Sequence, residues 1–274
     1  MPVDLHVHTT ASDGTDSPAE VVLKAKAIGL SAIAITDHDT LEGVEPAFEA
    51  GQLEKLEIVP GIELGSEYMG EEVHLLGYYI ELHNDLLHSR LKYLRSSRIT
   101  RMEKMVSKLK ELGIPLDLDM VMTMSGSGSV GRPHLAAAMV EIGAVKSVSE
   151  AFDLYIGSGR PAYVPRYKLK PAEAVCLIRH AGGVPVLAHP GLNSIAAFIG
   201  ELKEAGLAGL EAYHPAHSRE QSAFYERLAE KHGLIVTGGS DYHGPAHKAG
   251  RRLGLETVPY SALEMLKKTR EHLK

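Results

Sequence analysis

The stretch VDLHVHTTASDGTDSPAEVVLKAKAIGLSAIAIT, residues 3–36, sets the fold of the chain. It places a helix between two short apolar runs. Ser17 is a suitable N-cap, Pro18 and Glu20 favour the first helical turn, and Gly29 ends the helix. Two strands joined through a helix form the repeating unit of a parallel sheet or barrel. The predicted strands begin at Val3, Ser31, Glu57, Val73, Val184, Gly209 and Leu234. The first two of them lie in this stretch.

The middle of the chain has a different pattern. A long amphipathic helix is predicted from about Asn84 to Gly113, and only short helical patterns follow it. Strand-like runs then resume with their earlier character. We therefore interpret residues 86–164 as a helical insertion, expected to act as a substrate cap, in an α/β body formed by residues 1–85 and 165–274.

Composition excludes several classes of protein. The chain has 274 residues, of which 44% are hydrophobic, so it can bury a large core. Its net charge of −6 gives no basic field for nucleic acid or membranes. The single cysteine, Cys176, excludes an intrachain disulfide. Without a leader or membrane span, the expected location is cytoplasmic, with no membrane association and no stable protein partner. The 15 histidines are the unusual feature.

Histidines and carboxylates occur at or near the ends of the predicted strands. His6 and His8 share one face of the first strand because side chains alternate along a strand, and such a pair can bind one metal ion. A pair of ordinary polar histidines is the alternative, so this pair is weak evidence alone. The complete set is His6, His8, Asp13, His38, Glu63, His74, His189, Asp241 and His243.

The whole set indicates a metal centre. Barrels of this class build active sites at the carboxyl ends of their strands, and buried charges without partners are costly. The set contains no lysine or arginine that would provide ion pairs instead. Imidazoles mixed with carboxylates suit zinc, manganese or iron better than calcium. Because one ion takes about four ligands, the set can serve two or three ions if Glu63 bridges.

These residues resemble the PHP family, the polymerase-and-histidinol-phosphatase superfamily, over nearly the whole chain. The family's four motifs occur in order as His6-Val7-His8 with Asp13, Thr36-Asp37-His38, His189-Pro190 and Ser240-Asp241-Tyr242-His243. The resemblance implies a distorted (β/α)7 barrel and a site with two or three divalent ions, with manganese first and zinc or iron as alternatives. It implies one ion at His6, His8, Glu63 and Asp241, a second at Glu63, His74 and His189, and a third at Asp13, His38 and His243.

The insertion and the segment Gly131-Arg132-Pro133-His134 resemble the stand-alone TrpH/YciV-like branch. This resemblance implies a phosphatase that removes the 3′-phosphate of 3′,5′-nucleoside bisphosphates by attack of metal-activated hydroxide. A 5′-3′ exoribonuclease acting on short 5′-phosphorylated RNA and a histidinol-phosphate phosphatase are the alternative enzymes. An inactive PHP accessory module is the alternative that is not an enzyme, and retention of every ligand position disfavours it.

Further side chains are candidates for catalysis and substrate binding. His214, at the end of the strand without a ligand, is the candidate for protonating the leaving group or contacting the phosphate; an ordinary polar histidine is the alternative. Asp37 is the candidate for orienting a ligand imidazole. Guanidinium groups of the insertion suit a second phosphate, and Tyr163 is a candidate for stacking on a base. The predicted substrate-binding residues are Arg98, Arg101, Arg132, His134, Arg160 and Tyr163.

Overall fold

The structure is a computed structural model that describes residues 1–125, 130–165, 167–245 and 251–273. It divides into two compact units. Met1–Ser89 and Lys168–Lys274 form the first, the barrel unit, and Arg90–Tyr167 form the second, the helical unit. The boundary between them falls within one long helix, which begins in the barrel unit and continues into the helical unit.

One eight-stranded sheet forms the centre of the barrel unit, with the order β7-β6-β5-β4-β3-β2-β1-β8. Strand β1 also contacts β7, so the sheet is nearly closed into a barrel. The strands are β1 (Pro2–Val7), β2 (Ala32–Ile35), β3 (Glu57–Tyr68), β4 (Glu71–Tyr78), β5 (Val184–Leu187), β6 (Gly209–Tyr213), β7 (Ile235–Gly238) and β8 (Val258–Pro259). The predicted α/β class and distorted barrel are confirmed.

Two departures from regular βα units distort the barrel. Strand β8 has only two residues and pairs antiparallel with β1, and it is too short to leave a sequence pattern. Strand β4 follows β3 directly and lies antiparallel to both β3 and β5. Because β4 runs in the opposite direction, its early residue His74 lies at the barrel end where the parallel strands finish. The hairpin therefore brings His74 to the same end as the other candidate ligands.

Helices of the barrel unit connect the strands. The N-cap predicted for the first helix, Ser17, forms a capping box, since the Glu20 backbone N–H donates to Ser17 Oγ and the Ser17 backbone N–H donates to Glu20 Oε2. Buried Val, Leu and Ala side chains such as Val3, Leu5 and Val186 form the core inside the sheet. The helices are α1 (Pro18–Ala27), α2 (Val44–Glu54), α7 (Pro171–His180), α8 (Ile199–Ala205), α9 (Arg219–His232) and α10 (Tyr260–Leu273).

The helical unit has a hydrophobic core of its own. The buried side chains Met102, Met105, Leu109, Leu135 and Met139 contribute to it. Its helices are α3 (Asp85–Glu111), which starts in the barrel unit, α4 (Leu118–Ser125), α5 (Arg132–Glu141) and α6 (Val148–Ala151), followed by a π-helical turn at Phe152–Ile156. Among the described residues, no helix has the length and apolar character needed to cross a membrane.

Candidate metal centre

The nine predicted ligands come together at one end of the barrel unit. Eight of them form three overlapping groups, and within each group the candidate ligand atoms lie within 4.8 Å of one another. The ninth, His189, places Nε2 3.0 Å from Glu63 Oε1. The groups are His6, His8, Glu63 and Asp241; His8, Asp13, His38 and His243; and His38, Glu63 and His74.

Strand ends and unusual backbone geometry place these side chains. His6 lies on β1 and His8 directly follows the last residue of that strand, Val7; both side chains are buried, and their Nε2 atoms lie 3.1 Å apart. The candidate ligands His189 and Asp241 have positive φ angles of 26° and 49°, and Asp39, which follows His38, has one of 53°. Residues other than glycine rarely adopt such angles. Such backbone strain is maintained only where surrounding contacts hold it, and it clusters at functional sites.

Glu63 is the centre of the cluster. Its Oε1 lies 2.8 Å from His74 Nδ1. Its Oε2 lies 3.2 Å from His6 Nε2 and 3.1 Å from both His8 Nε2 and His38 Nδ1, yet this buried oxygen accepts no hydrogen bond. Burial raises the pKa of the Glu63 carboxyl, but the neighbouring imidazoles outweigh burial and hold its pKa well below the usual range. Glu63 is therefore a carboxylate placed to be shared by several ligand groups.

The donor atoms fit divalent metal ions. Glu63 Oε2, His8 Nδ1 and His189 Nδ1 are buried without hydrogen-bond partners, a state that costs free energy unless another group satisfies them. Imidazole nitrogens and carboxylate oxygens are typical ligands of zinc, manganese and iron. The cluster is thus able to bind metal ions.

The pKa values of the histidines in the cluster are shifted in different directions. Burial lowers the pKa of His6, but the carboxylates of Glu211 and Glu63 outweigh burial and raise it to about 10. Burial likewise opposes the neighbouring carboxylates at His74, which raise its pKa to about 10. Burial dominates at His38 and lowers its pKa to about 3. His6 and His74 therefore carry protons that bound metal ions would replace.

His214 contacts one of the candidate ligands, Asp241. Its Nδ1 accepts a hydrogen bond from the Ala216 backbone N–H at 3.1 Å, and its Nε2 lies 3.2 Å from Asp241 Oδ2. Burial lowers its pKa to about 4, so the ring is neutral at pH 7 and donates through Nε2. These contacts are those of a residue that orients Asp241, while protonation of the leaving group or contact with the phosphate by His214 stays a prediction.

Asp37 also holds structure around the site. Its carboxylate accepts hydrogen bonds from the Thr9 backbone N–H at 2.7 Å, from Thr9 Oγ1 at 2.8 Å and from Ser12 Oγ at 2.6 Å. These contacts fix the loop that leads to Asp13. Among the described hydrogen bonds of its carboxylate, none involves an imidazole. Asp37 therefore orients this loop, and its orientation of a ligand histidine stays a prediction.

Sequence reasoning missed several residues that contact the candidate ligands, among them Glu211 and Arg251. Glu211, on β6, is 0% exposed and lies 2.9 Å from His6 Nδ1 through Oε1. Burial raises its pKa, but the adjacent histidines, His6 first, lower it to about 2. Arg251 forms an ion pair with Asp241. A lone glutamate in an otherwise apolar strand was the available signal for Glu211, whereas no pattern marks Arg251, which lies in a loop.

The predicted substrate-binding residues all belong to the helical unit. The guanidinium groups of Arg101 and Arg132 lie 5.7 Å and 5.6 Å from the centre of the Tyr163 ring, distances suited to cation–π contact. His134 Nδ1 accepts the Gly131 backbone N–H at 3.1 Å, so this imidazole helps to cap α5. Arg160 is exposed and Arg98 is partly buried on α3.

Similarity to known proteins agrees with this geometry. The PHP domain profile matches residues 4–85. A 3′,5′-nucleoside bisphosphate phosphatase of Chromobacterium violaceum is 32% identical, covering 92% of this chain and 90% of its own. A 5′-3′ exoribonuclease of Escherichia coli is 31% identical, covering 92% of this chain and 89% of its own.

A solved structure extends the likeness to three dimensions. The crystal structure of a proposed metal-dependent phosphoesterase from Bifidobacterium adolescentis superposes with a TM-score of 0.80 and 31% identity, covering 98% of this chain and 96% of that one. The similarity of the chain to this structure, like its similarity to the two enzymes, spans nearly the full length of the chain. The chain therefore belongs to the PHP family of metal-dependent phosphoesterases.

Proposed function

We propose that this phosphoesterase removes the 3′-phosphate of 3′,5′-nucleoside bisphosphates with the help of two or three divalent ions, with manganese first and zinc or iron as alternatives. The observation that supports metal-dependent hydrolysis is Glu63, a buried carboxylate whose two oxygens face five imidazoles. The bisphosphate substrate is supported by the name of the relative from Chromobacterium violaceum.

Each part of the cluster has a role in this proposal. Divalent ions supply Lewis-acid chemistry, since they make water more acidic and stabilise negative charge on phosphoryl oxygens. His6, His8, Glu63 and Asp241 would hold one ion, while Asp13, His38 and His243 would hold another. His74 and His189, both next to Glu63 Oε1, would serve a third. His214 and Arg251 both contact Asp241 and keep its carboxylate in place.

The helical unit is assigned the recognition of the second phosphate. Arg101 and Arg132 converge on Tyr163, and both also donate to backbone carbonyls, Arg101 Nε to Val164 O at 2.7 Å and Arg132 Nη1 to Ile156 O at 3.4 Å. These contacts fix two guanidinium groups in one place and so reduce the entropy lost on binding an anion. Guanidinium groups bind phosphate through charge-assisted hydrogen bonds.

A substrate panel tests the proposal. The manganese-loaded enzyme is expected to convert adenosine 3′,5′-bisphosphate to adenosine 5′-monophosphate and to stop there. We expect its kcat/KM to exceed that for histidinol phosphate by about 100-fold or more, because about two charge-assisted hydrogen bonds to the second phosphate would be lost. Phosphate release is measured directly. Efficient hydrolysis of histidinol phosphate without release from the bisphosphate would contradict the assignment.

Hydrolysis of short RNA is the second candidate function, favoured by the name of the Escherichia coli relative. Removal of a nucleotide from the 5′ end breaks a phosphodiester at the same 3′ position, so one site would serve both reactions. A 5′-phosphorylated dinucleotide distinguishes them. Turnover of the dinucleotide at a higher kcat/KM than the bisphosphate would assign the chain to RNA.

Arg132→Ala is expected to raise the KM for adenosine 3′,5′-bisphosphate by roughly 10- to 100-fold, while kcat changes little. The physical reason is the loss of charge-assisted hydrogen bonds to the 5′-phosphate, a group remote from the bond that breaks. Adenosine 3′-monophosphate lacks that group, so its KM should not respond. Arg90→Ala, an exposed arginine of the same unit, is the matched control. An equal effect of Arg132→Ala on both substrates would exclude a role in 5′-phosphate recognition.

A further inference from the structure

Strand β6 contributes no candidate metal ligand, yet it carries a buried carboxylate into the cluster. Glu211 is 0% exposed and stands between Leu210 and Ala212, which are also fully buried. Because side chains alternate along a strand, Glu211 faces opposite to these two apolar neighbours. A buried carboxylate is retained at a site only where hydrogen bonds or charges compensate its lost hydration. Its two oxygens accordingly have different partners.

The first partner is His6. Glu211 Oε1 lies 2.9 Å from His6 Nδ1. An ionised carboxylate only accepts hydrogen bonds, so Nδ1 must carry the proton. The other nitrogen, Nε2, lies 3.2 Å from Glu63 Oε2 and 3.4 Å from Asp241 Oδ1, facing the ligand cluster. Glu211 thus leaves the Nε2 lone pair of a neutral His6 available to a metal ion.

The second partner is the backbone of His189. Its N–H donates to Glu211 Oε2 at 2.7 Å. His189 has a φ angle of 26°, a conformation that requires contacts to maintain it. The same residue places Nε2 3.0 Å from Glu63 Oε1. One carboxylate therefore holds two histidines that face different oxygens of Glu63.

We propose that Glu211 is a positioning residue of the metal centre: its Oε1 fixes the tautomer and direction of His6, and its Oε2 fixes the backbone of His189. The inference rests on the metal dependence in the proposed function and is independent of the substrate. A merely structural role, in which Glu211 only fills and stabilises the barrel, predicts a different result in the following experiment.

Glu211→Gln tests this role. An amide has one acceptor oxygen and one donor nitrogen, so in either orientation one of the two N–H donors loses its acceptor. We expect zinc affinity, measured by competition with a chromophoric chelator, to fall by roughly 10- to 100-fold. Turnover of a simple aryl phosphate should fall at limiting zinc and recover at excess zinc. Unchanged zinc affinity with a lower melting temperature would overturn the proposal and assign Glu211 a structural role.

The matched control is Glu226→Gln. Glu226 lies on α9 and hydrogen-bonds Tyr213, which belongs to the same strand as Glu211. This change makes the same chemical substitution next to β6 without altering a contact to the candidate ligands. Zinc affinity should therefore match that of the wild-type protein. Equal loss in both variants would show that any disturbance of β6 weakens the site, which overturns the specific role of Glu211.

A measurement on the wild-type protein does not depend on how the variants fold. In zinc-loaded protein with 15N-labelled histidine, NMR should show His6 protonated at Nδ1, with the signal assigned by its absence from His6→Asn. Protonation at Nε2 instead would overturn the proposal. Neither readout involves a nucleotide, so failure of the enzyme to hydrolyse a bisphosphate would leave both results interpretable.

Discussion

Glu63→Gln is expected to lower kcat by about 1000-fold or more. Its carboxylate belongs to two of the three candidate ligand groups and lies next to His189 as well. A neutral amide cannot share two anionic oxygens between ions, so the change would weaken binding at more than one position. Loss of several kcal/mol of transition-state stabilisation corresponds to about three decades in rate. The measurements are kcat for phosphate release and metal content after dialysis.

Glu67→Gln is the control for this change. Glu67 lies on the same strand, β3, but pairs with Lys168 and is half exposed at its side chain. The control should keep wild-type turnover and metal content. Ile62 and Leu64, which flank Glu63, are fully buried, so circular dichroism should show that Glu63→Gln keeps the fold. If the Glu63→Gln variant kept the wild-type kcat despite a reduced metal content, Glu63 would have no part in catalysis.

The clustering of the candidate ligands could be predicted from the sequence because strands impose simple geometry. A period of two puts His6 and His8 on one face, and barrel topology brings the ends of parallel strands together. His74 joined the set for a reason that the pattern did not contain. It precedes the end of its strand, and the antiparallel direction of β4 brings it to the site.

The supporting residues could not be predicted in the same way. The hydrogen bonds of His214 and Asp37 go to Asp241, Thr9 and Ser12, and such partners are set by tertiary contacts rather than by spacing. Arg251 comes from a loop without periodicity. Strand β8 has two residues, one of them proline, which is below the length at which alternation can be recognised.

Protonation of the cluster links metal binding to pH. His6 and His74 have pKa values of about 10 against an ordinary value of 6.5. In the metal-free protein their raised pKa contributes stability that is fully present below pH 6.5 and is lost as pH rises toward 10. His38 and His214 have lowered pKa values of about 3 and 4. Their effect on the stability of the metal-free protein is opposite in sign and is confined to pH below 6.5. Between pH 7 and pH 8.5, His6 and His74 therefore decide how the stability of the metal-free protein changes, and it falls as pH rises.

Manganese is therefore expected to raise the melting temperature by roughly 10 °C for each tightly bound ion, and by more at pH 8.5 than at pH 7.0. A free ion at about 1000 times its Kd adds roughly 4 kcal/mol, and each kcal/mol shifts the midpoint of a protein of this size by about 2–4 °C. Each proton that the metal displaces weakens binding about tenfold per unit fall in pH. The check is differential scanning fluorimetry with manganese or with chelator at both pH values, with calorimetry counting released protons. An equal rise in melting temperature at both pH values would mean that metal binding displaces no protons from His6 and His74.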